Sequence, residues 1–219
     1  MIHPEERVLD RLPEFDERSL AFPIRPLLST TVTPRSYSWN VPNPGFPLDQ
    51  GREGACVGFA WAHELAARPV VRSSSAEVAR EIYHEAQRID EWEGEAYEGT
   101  SVLAGAKVLV ARGKIKEYRW AFGLEDLKMA VGHKGPAVLG IYWYQGMDDV
   151  DDEGFIHASG MIRGGHAILV NAVSLKRQAF GVYNSWGLGW GQNGRAWISF
   201  EDMGKLLHED GEAAIPVRR

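Results

Sequence analysis

Apolar residues in the middle of the chain recur at helical spacing between glycine and proline breaks. The apolar run after Cys56 predicts a buried helix that stops near Arg68, because the following proline disfavours helical backbone in the residue before it. A second helix is predicted from Ser74 to Ile89, with Glu77 placed for a capping box. Two more predicted helices run from Thr100 or Ser101 to Gly113 and from Leu124 to Val131.

The pattern changes after Gly135, where β-branched and aromatic residues form short runs between glycine-rich turns. These runs are typical of strands, predicted at 137–144, 167–173, 179–183 and 195–200. Helices that precede strands indicate an α+β protein with two lobes and a cleft between them. We place a helical lobe at about 49–134 and a β lobe at about 135–219, within one domain spanning 49–219.

Residues 1–48 have a different character, because prolines recur through them and helix signals are few. Proline fixes the backbone and removes a hydrogen-bond donor, so an extended arm with turns is predicted. Tyr37, Trp39 and Phe46 supply apolar anchors, and we expect them to pack the arm on the body.

Composition narrows the functional classes. The 219 residues are 44% hydrophobic and 25% charged, as in ordinary soluble domains. A net charge of -6 does not indicate the overall basic character that is typical of nucleic-acid-binding proteins. No apolar run approaches the roughly 20 residues that cross a membrane. A single cysteine excludes an internal disulfide, and the charged N-terminus does not resemble a signal peptide, so a cytoplasmic location is expected.

That single cysteine, Cys56, is the first candidate for chemistry. Glycines precede it and the predicted helix follows, which puts the thiol at a helix N-terminus. There the helix dipole favours negative charge and lowers the pKa of a thiol. The alternative is that Cys56 is simply a small buried apolar residue.

A thiol nucleophile needs a base, and the base needs a group that orients it. His166, at the start of a predicted strand, is the best base. Asn184 is the best orienting group, since its carbonyl can accept a hydrogen bond from one ring nitrogen and leave the other facing the sulfur. Trp186 would shield that bond from water. A satisfied core histidine and a simple turn asparagine are the alternatives.

Three motifs carry these residues in a fixed order: Gln50-Gly51-x-x-Gly54-x-Cys56, then Gly165-His166-Ala167, then Asn184-Ser185-Trp186-Gly187-x-Gly189-Trp190-Gly191-x-x-Gly194. In this order the sequence resembles the papain family of cysteine peptidases. Weaker matches lie between the motifs, at 98–100, 135–138 and 154–156. The resemblance covers about residues 49–200 and implies the papain-like two-lobe fold.

The resemblance also implies roles. Cys56 would be the nucleophile, His166 its acid and base, and Asn184 the orienting residue. Gln50 would donate to the oxyanion together with the backbone N–H of Cys56, and a preorganised donor there is worth about 3–4 kcal/mol of barrier. The resemblance implies neither a metal nor an organic cofactor, and the implied partner is a peptide or protein substrate.

Substrate contacts are implied at Gly99 and Thr100, beside Trp186, and in a side-chain pocket near Gly140 and Ala167. Because those last two residues are small, we expect an open apolar pocket that takes a large hydrophobic group. An acidic loop before His166 is expected to favour basic substrate groups; its carboxylates are Asp148, Asp149, Asp151 and Asp152.

Several positions depart from the family pattern. Val57 stands where an aromatic residue is usual, Glu53 where many members have a second cysteine, and Thr100 where a second glycine is usual. Only 55 residues precede Cys56, so a full-size inhibitory propeptide is not expected. The alternative that a short N-terminal arm lies across the cleft is left open by the sequence.

The predicted function is hydrolysis of peptide bonds through a thiolate and an acyl-enzyme. Two alternatives remain open on the same residues. One is a thiol amidase, transpeptidase or deconjugase, and the other is a weakly active protein that serves as a binding or structural component. The oligomeric state is not predicted.

Overall fold

The computed structural model describes residues 2–13, 17–29, 31–42, 46–90 and 98–217. The remaining parts of the predicted arm, at 1, 14–16, 30 and 43–45, lie outside the described residues. None of the helices in the described ranges is both long and apolar enough to cross a membrane.

Four helices form the first half of the body: α1 (Cys56–Ala66), α2 (Ala76–Ile89), α3 (Val102–Ala111) and α4 (Leu124–His133). All residues of α1 are buried, so it is the central helix of its lobe. Helix α2 begins later than predicted, because Ser75 and not Ser74 caps it by accepting a hydrogen bond from the Val78 N–H. Ser101 caps α3 in the same way through the Ala104 N–H, at 3.0 Å.

The strands form one antiparallel sheet: β1 (Tyr37–Ser38), β2 (Glu117–Trp120), β3 (Ala137–Tyr144), β4 (Ile162–Ser174), β5 (Ala179–Tyr183), β6 (Arg195–Ser199) and β7 (Glu212–Val217). The strand order is β2-β7-β3-β4-β5-β6, and β1 pairs with β4. Register sets Ile141 opposite His166 and Gly140 opposite Ala167. Both members of the predicted pocket therefore lie side by side on neighbouring strands.

Sequence patterns missed several elements, among them two paired strands and the last helix. Strands β2 and β7 pair with each other. They contain charged residues and a proline, so their sequences do not show the apolar pattern that predicts a strand. Helix α5 (Phe200–His208) starts where the last predicted strand was expected to end. Ser199 caps it by accepting from the Asp202 N–H at 2.9 Å, a signal that the strand propensity of the preceding residues obscured.

Apolar side chains cover both faces of the sheet because strand residues alternate in direction. Leu139 and Ile168 face the core shared with α4 and α5, whereas Val138 and Leu169 face the core built with α1 and α3. Helix α1 thus packs directly on the sheet beside β4, which brings its first residue next to the strand that carries His166.

The described parts of the first 48 residues lie against this body at several points. Trp39 is buried and donates from Nε1 to the Val131 carbonyl. Phe46 is buried against the ring of His63, with 5.5 Å between ring centroids. Tyr37 is 40% exposed and contributes mainly through the pairing of β1 with β4.

Candidate active site

The Cys56 thiol lies at the first residue of α1 and is fully buried. Burial raises the pKa of this thiol to about 11, although backbone hydrogen bonds from Ala167, Asp10 and Val57 to the sulfur lower it. The expectation of a lowered thiol pKa at the helix N-terminus therefore does not hold in this arrangement. The physical reason is desolvation, which disfavours the thiolate more than the nearby donors favour it.

His166 is fully buried on β4, and its Nε2 lies 2.8 Å from Asn184 Oδ1. That oxygen also accepts from the Ser185 N–H at 2.7 Å, so it is an acceptor and the imidazole proton is on Nε2. Nδ1 then carries the lone pair, and it has no hydrogen-bond partner among the residues that the structure describes. Burial lowers the pKa of His166 to about 4 despite the bond to Asn184. The ring is therefore neutral near pH 7 and can accept a proton at Nδ1.

Aromatic rings enclose this histidine. Trp143 meets its ring edge to face at 4.8 Å between centroids, and Trp186 lies at 5.4 Å. Both tryptophans are nearly inaccessible to solvent. The hydrogen bond between His166 and Asn184 is consequently shielded from water. Trp143 contributes to this shielding together with Trp186, and the sequence did not predict that role for Trp143.

Gln50 is buried and oriented at both ends of its amide. Its Oε1 accepts from Ser185 Oγ at 2.6 Å, and its Nε2 donates to the carbonyls of Glu53 at 2.9 Å and Val8 at 3.3 Å. The Ser185 hydroxyl thus determines which way the amide faces. Sequence reasoning missed this role of Ser185, although its place directly after Asn184 was the available signal.

A segment of the N-terminal arm, residues 8–12, runs through the groove between the lobes. Arg11 N–H donates to the Gly165 carbonyl at 2.9 Å, and Leu12 N–H donates to the Thr100 carbonyl at 3.0 Å. Gly99 has a φ of +109°, and a Cβ there would overlap the Asp10 carbonyl. Gly99 and Thr100, the predicted substrate contacts, therefore contact the arm.

The atom that this arm presents to the sulfur is a donor. The backbone hydrogen bond from Asp10 lowers the thiol pKa, as an N–H directed at the sulfur does. An amide nitrogen is not attacked by a thiolate, so this contact is unreactive. Arg7 fastens the same segment through an ion pair with Asp49 and a hydrogen bond to the Trp186 carbonyl at 3.3 Å.

The predicted pocket at Gly140 and Ala167 contains the side chain of Arg11. Its Nη2 lies 2.9 Å from Glu212 Oε1, and a Cβ at Gly140 would overlap Arg11 Nε. Ala167 is buried opposite Gly140 and also contributes its backbone to the Cys56 sulfur. The structure thus puts a charged group where a large hydrophobic one was expected.

The acidic loop before His166 uses its carboxylates internally. Asp148 is buried, pairs with Arg163 and accepts from Trp143 Nε1 at 2.9 Å. Asp151 binds His157 Nε2 at 2.8 Å. Two of the four carboxylates are therefore already paired within the protein. Among the described residues, no group of three or more histidine, cysteine or acidic side chains is arranged to hold a metal ion.

Sequence comparisons find no match: neither a family model nor a curated protein is similar enough to be significant. Solved structures do match. Xylellain, a cysteine protease from Xylella fastidiosa, superposes with a TM-score of 0.76 at 17% identity, over 100% of this chain and 99% of that one. Digestive procathepsin L2 from Tenebrio molitor gives 0.64 at 18% identity, over 97% and 79%.

A third match is procathepsin B from Trypanosoma congolense, with a TM-score of 0.61 at 16% identity over 98% of this chain and 87% of that one. At these identities the likeness concerns the fold. This chain therefore has the papain-like two-lobe fold, as the motif order predicts.

Proposed function

We propose that this protein is a cysteine peptidase that cleaves peptide bonds with Cys56 as nucleophile and His166 as general base. The observation that carries the proposal is the 2.8 Å hydrogen bond between His166 Nε2 and Asn184 Oδ1, which assigns the lone pair to Nδ1. The thiol is close by, since its sulfur accepts a backbone hydrogen bond from Ala167, the residue after His166. A nucleophile, a base and an orienting group are thereby available together.

The chemistry follows from these positions. Nδ1 of His166 takes the thiol proton as the sulfur attacks the substrate carbonyl. The resulting oxyanion accepts hydrogen bonds from Gln50 Nε2 and from the backbone N–H of Cys56. Collapse breaks the carbon–nitrogen bond, and His166 returns the proton to the leaving amine. Water, deprotonated by His166, then hydrolyses the thioester and releases the carboxylate product.

The arm must leave the groove before a substrate can enter. In the closed arrangement Gln50 Nε2 donates to the Val8 carbonyl, and Asp10 faces the sulfur. Displacement would hydrate the thiol and the imidazole, which removes the main cause of the raised pKa of Cys56 and the lowered pKa of His166. Turnover is therefore expected only in the open arrangement.

The test uses the full chain and an Arg11→Ala variant in which the arm is held less tightly. Incubation with a fluorogenic peptide library should give turnover, faster for the variant, and acid quenching followed by mass spectrometry should detect an acyl group on Cys56. Cys56→Ala should abolish both signals while the circular dichroism spectrum is unchanged. Product analysis with an added amine separates hydrolysis from transfer. Absence of turnover and of acylation in both proteins would refute the proposal.

A further inference from the structure

A polar groove crosses four strands of the sheet and shares no residue with the proposed catalytic set. Strand register sets Ser38 of β1, Ala172 of β4, Gly181 of β5 and Trp197 of β6 in one row. Residues that are directly opposite one another lie on the same face of a sheet. Because the two middle residues are an alanine and a glycine, this face is depressed between β1 and Trp197. The resulting groove of about 360 Å³ is large enough for a small organic molecule.

A β-bulge brings an amide to the floor of this groove. The pairing of β4 with β5 shifts between Val170 and Ala172, so Asn171 is an extra residue with no partner in β5. Asn171 is 6% exposed and lines the groove. Its side-chain amide makes no hydrogen bond to any residue that the structure describes. A nearly buried amide without a partner is costly, so this one is suited to a ligand that supplies the missing hydrogen bonds.

The charge at the groove is positive, although the chain as a whole carries a net charge of -6. Among the described residues that line the groove, Arg195 is the only charged one. Its guanidinium lies over the ring of Tyr183, 5.7 Å from the centroid, and no described carboxylate pairs with it. A guanidinium that has no acidic partner favours a carboxylate or a phosphate, because it can donate two parallel hydrogen bonds to either group.

The other groups at the groove suit an anion better than a neutral sugar. The Ser38 hydroxyl donates to Asn40 Oδ1 at 2.9 Å, which leaves Asn40 Nδ2 as a donor. The Trp197 ring packs over Gly181, and the Arg177 guanidinium lies 5.1 Å from its centroid. Both contacts occupy the indole, so it is poorly placed to stack on a sugar ring.

We propose that this groove binds a small organic anion, a carboxylate or a phosphate ester that also carries hydroxyl groups. Its charge would pair with Arg195, and its oxygens would accept hydrogen bonds from the amides of Asn171 and Asn40. The hydroxyl groups would donate to the amide oxygen of Asn171, which has no other donor among the described residues. The inference is independent of the proposed peptidase function, because it uses none of the residues around Cys56.

The test is an NMR titration of the isotope-labelled full chain with citrate, with glycerol phosphate and with neutral glycerol. We expect saturable shifts of the Asn171 side-chain amide with citrate, with glycerol phosphate or with both, and none with glycerol at the same concentrations. The anion that binds more tightly shows whether the site prefers a carboxylate or a phosphate.

Variants assign the binding to the groove. Arg195→Gln should weaken it about ten- to hundredfold, the range for hydrogen bonds to a charged group. Asn171→Asp has nearly the same size and puts a like charge beside the anion, so it should abolish saturation. Arg177→Gln is the matched control, since it removes the same charge from an exposed arginine next to Trp197 that does not line the groove. It should change the dissociation constant by less than about twofold.

Three results would overturn the proposal. The first is the absence of saturable shifts with both anions. The second is binding of glycerol as tight as that of glycerol phosphate, which would remove the role of the charge. The third is an equal loss of affinity in Arg177→Gln and Arg195→Gln, which would indicate attraction by the surface charge in general. Circular dichroism of each variant shows that its fold is kept, and Arg195→Lys replaces Arg195→Gln should the latter fold poorly.

Discussion

Two buried histidines in this protein, His63 in α1 and His166 in β4, occupy regions that look alike by burial and differ in hydrogen bonding. Both side chains are fully inaccessible to solvent. Burial lowers the pKa of His63 to about 3 and that of His166 to about 4. Burial and a depressed pKa therefore do not distinguish a structural histidine from a candidate base.

The direction of their hydrogen bonds separates the two. His63 Nε2 accepts from the Leu48 N–H at 2.9 Å, so its lone pair is already used to hold the chain before Gln50. His166 Nε2 donates to Asn184, so its lone pair at Nδ1 is available for a proton. The lesson is that the acceptor side of the ring, not its environment, indicates chemistry.

The largest effect should come from removing each ring. In the Arg11→Ala background, His166→Ala is expected to lower kcat/KM by about 10³-fold or more, because the base is lost. His63→Ala should cost about 2–4 kcal/mol of unfolding free energy, and the protein that remains folded should keep its kcat/KM. Steady-state kinetics and denaturant unfolding check the two results. Equal losses of kcat/KM in both variants would contradict the assignment of His166 as base and His63 as a structural residue.

Acid should destabilise the folded protein through both rings. Between pH 6.5 and about 3 the unfolded chain protonates each histidine, whereas the folded protein keeps His63 and His166 neutral, so the unfolded state binds more protons. The contribution of the two neutral rings to the unfolding free energy is thus fully present above about pH 6.5. It falls on the order of a few kcal/mol as the pH drops towards 3–4. Denaturant unfolding of wild type and His63→Phe at several pH values measures this. The variant should show the smaller slope, and an identical slope would contradict the assignment.

Alkylation of Cys56 should report whether the groove is closed. With the thiol pKa raised from 9.0 to about 11, iodoacetamide labelling of the wild type should be slow at pH 7.5 and rise until about pH 11. Two pKa units correspond to about a hundredfold less thiolate. Arg11→Ala should label faster at neutral pH and reach its plateau at lower pH. Arg119→Ala is the control. It removes an arginine that is paired with Glu117 outside the arm, so its labelling should be like that of the wild type.

The smallest effect is expected from the orienting residue. Asn184→Ala removes one hydrogen bond but leaves the His166 ring between Trp143 and Trp186, so kcat/KM should fall about tenfold. Asn184→Asp keeps an acceptor and should restore part of the loss, with the acidic limb of the pH–rate profile shifted to higher pH. A loss as large as that for His166→Ala would mean that packing does not hold the ring.

Local sequence patterns were enough to predict most of the helices and strands. The apolar periodicity after Cys56 and the β-branched run at 137–144 predicted α1 and β3, and the latter matches residue for residue. Strands β2 and β7 were missed because their stability comes from pairing across the sheet and not from their own residues. The cap of α2 was misplaced by one position because three serines, at 73–75, adjoin and only backbone geometry selects among them.

The order and spacing of Gln50, Cys56, His166 and Asn184 could be read from the chain and were enough to predict the α+β fold, since short-range motifs carry that information. The path of the arm through the groove, in contrast, depends on contacts between residues that are far apart in the chain. Arg11 and Glu212 are 201 positions apart, and the sequence around each residue does not predict that the two side chains pair. The raised pKa of the Cys56 thiol likewise depends on the folded arrangement, because burial, and not the helix N-terminus, has the largest effect on it.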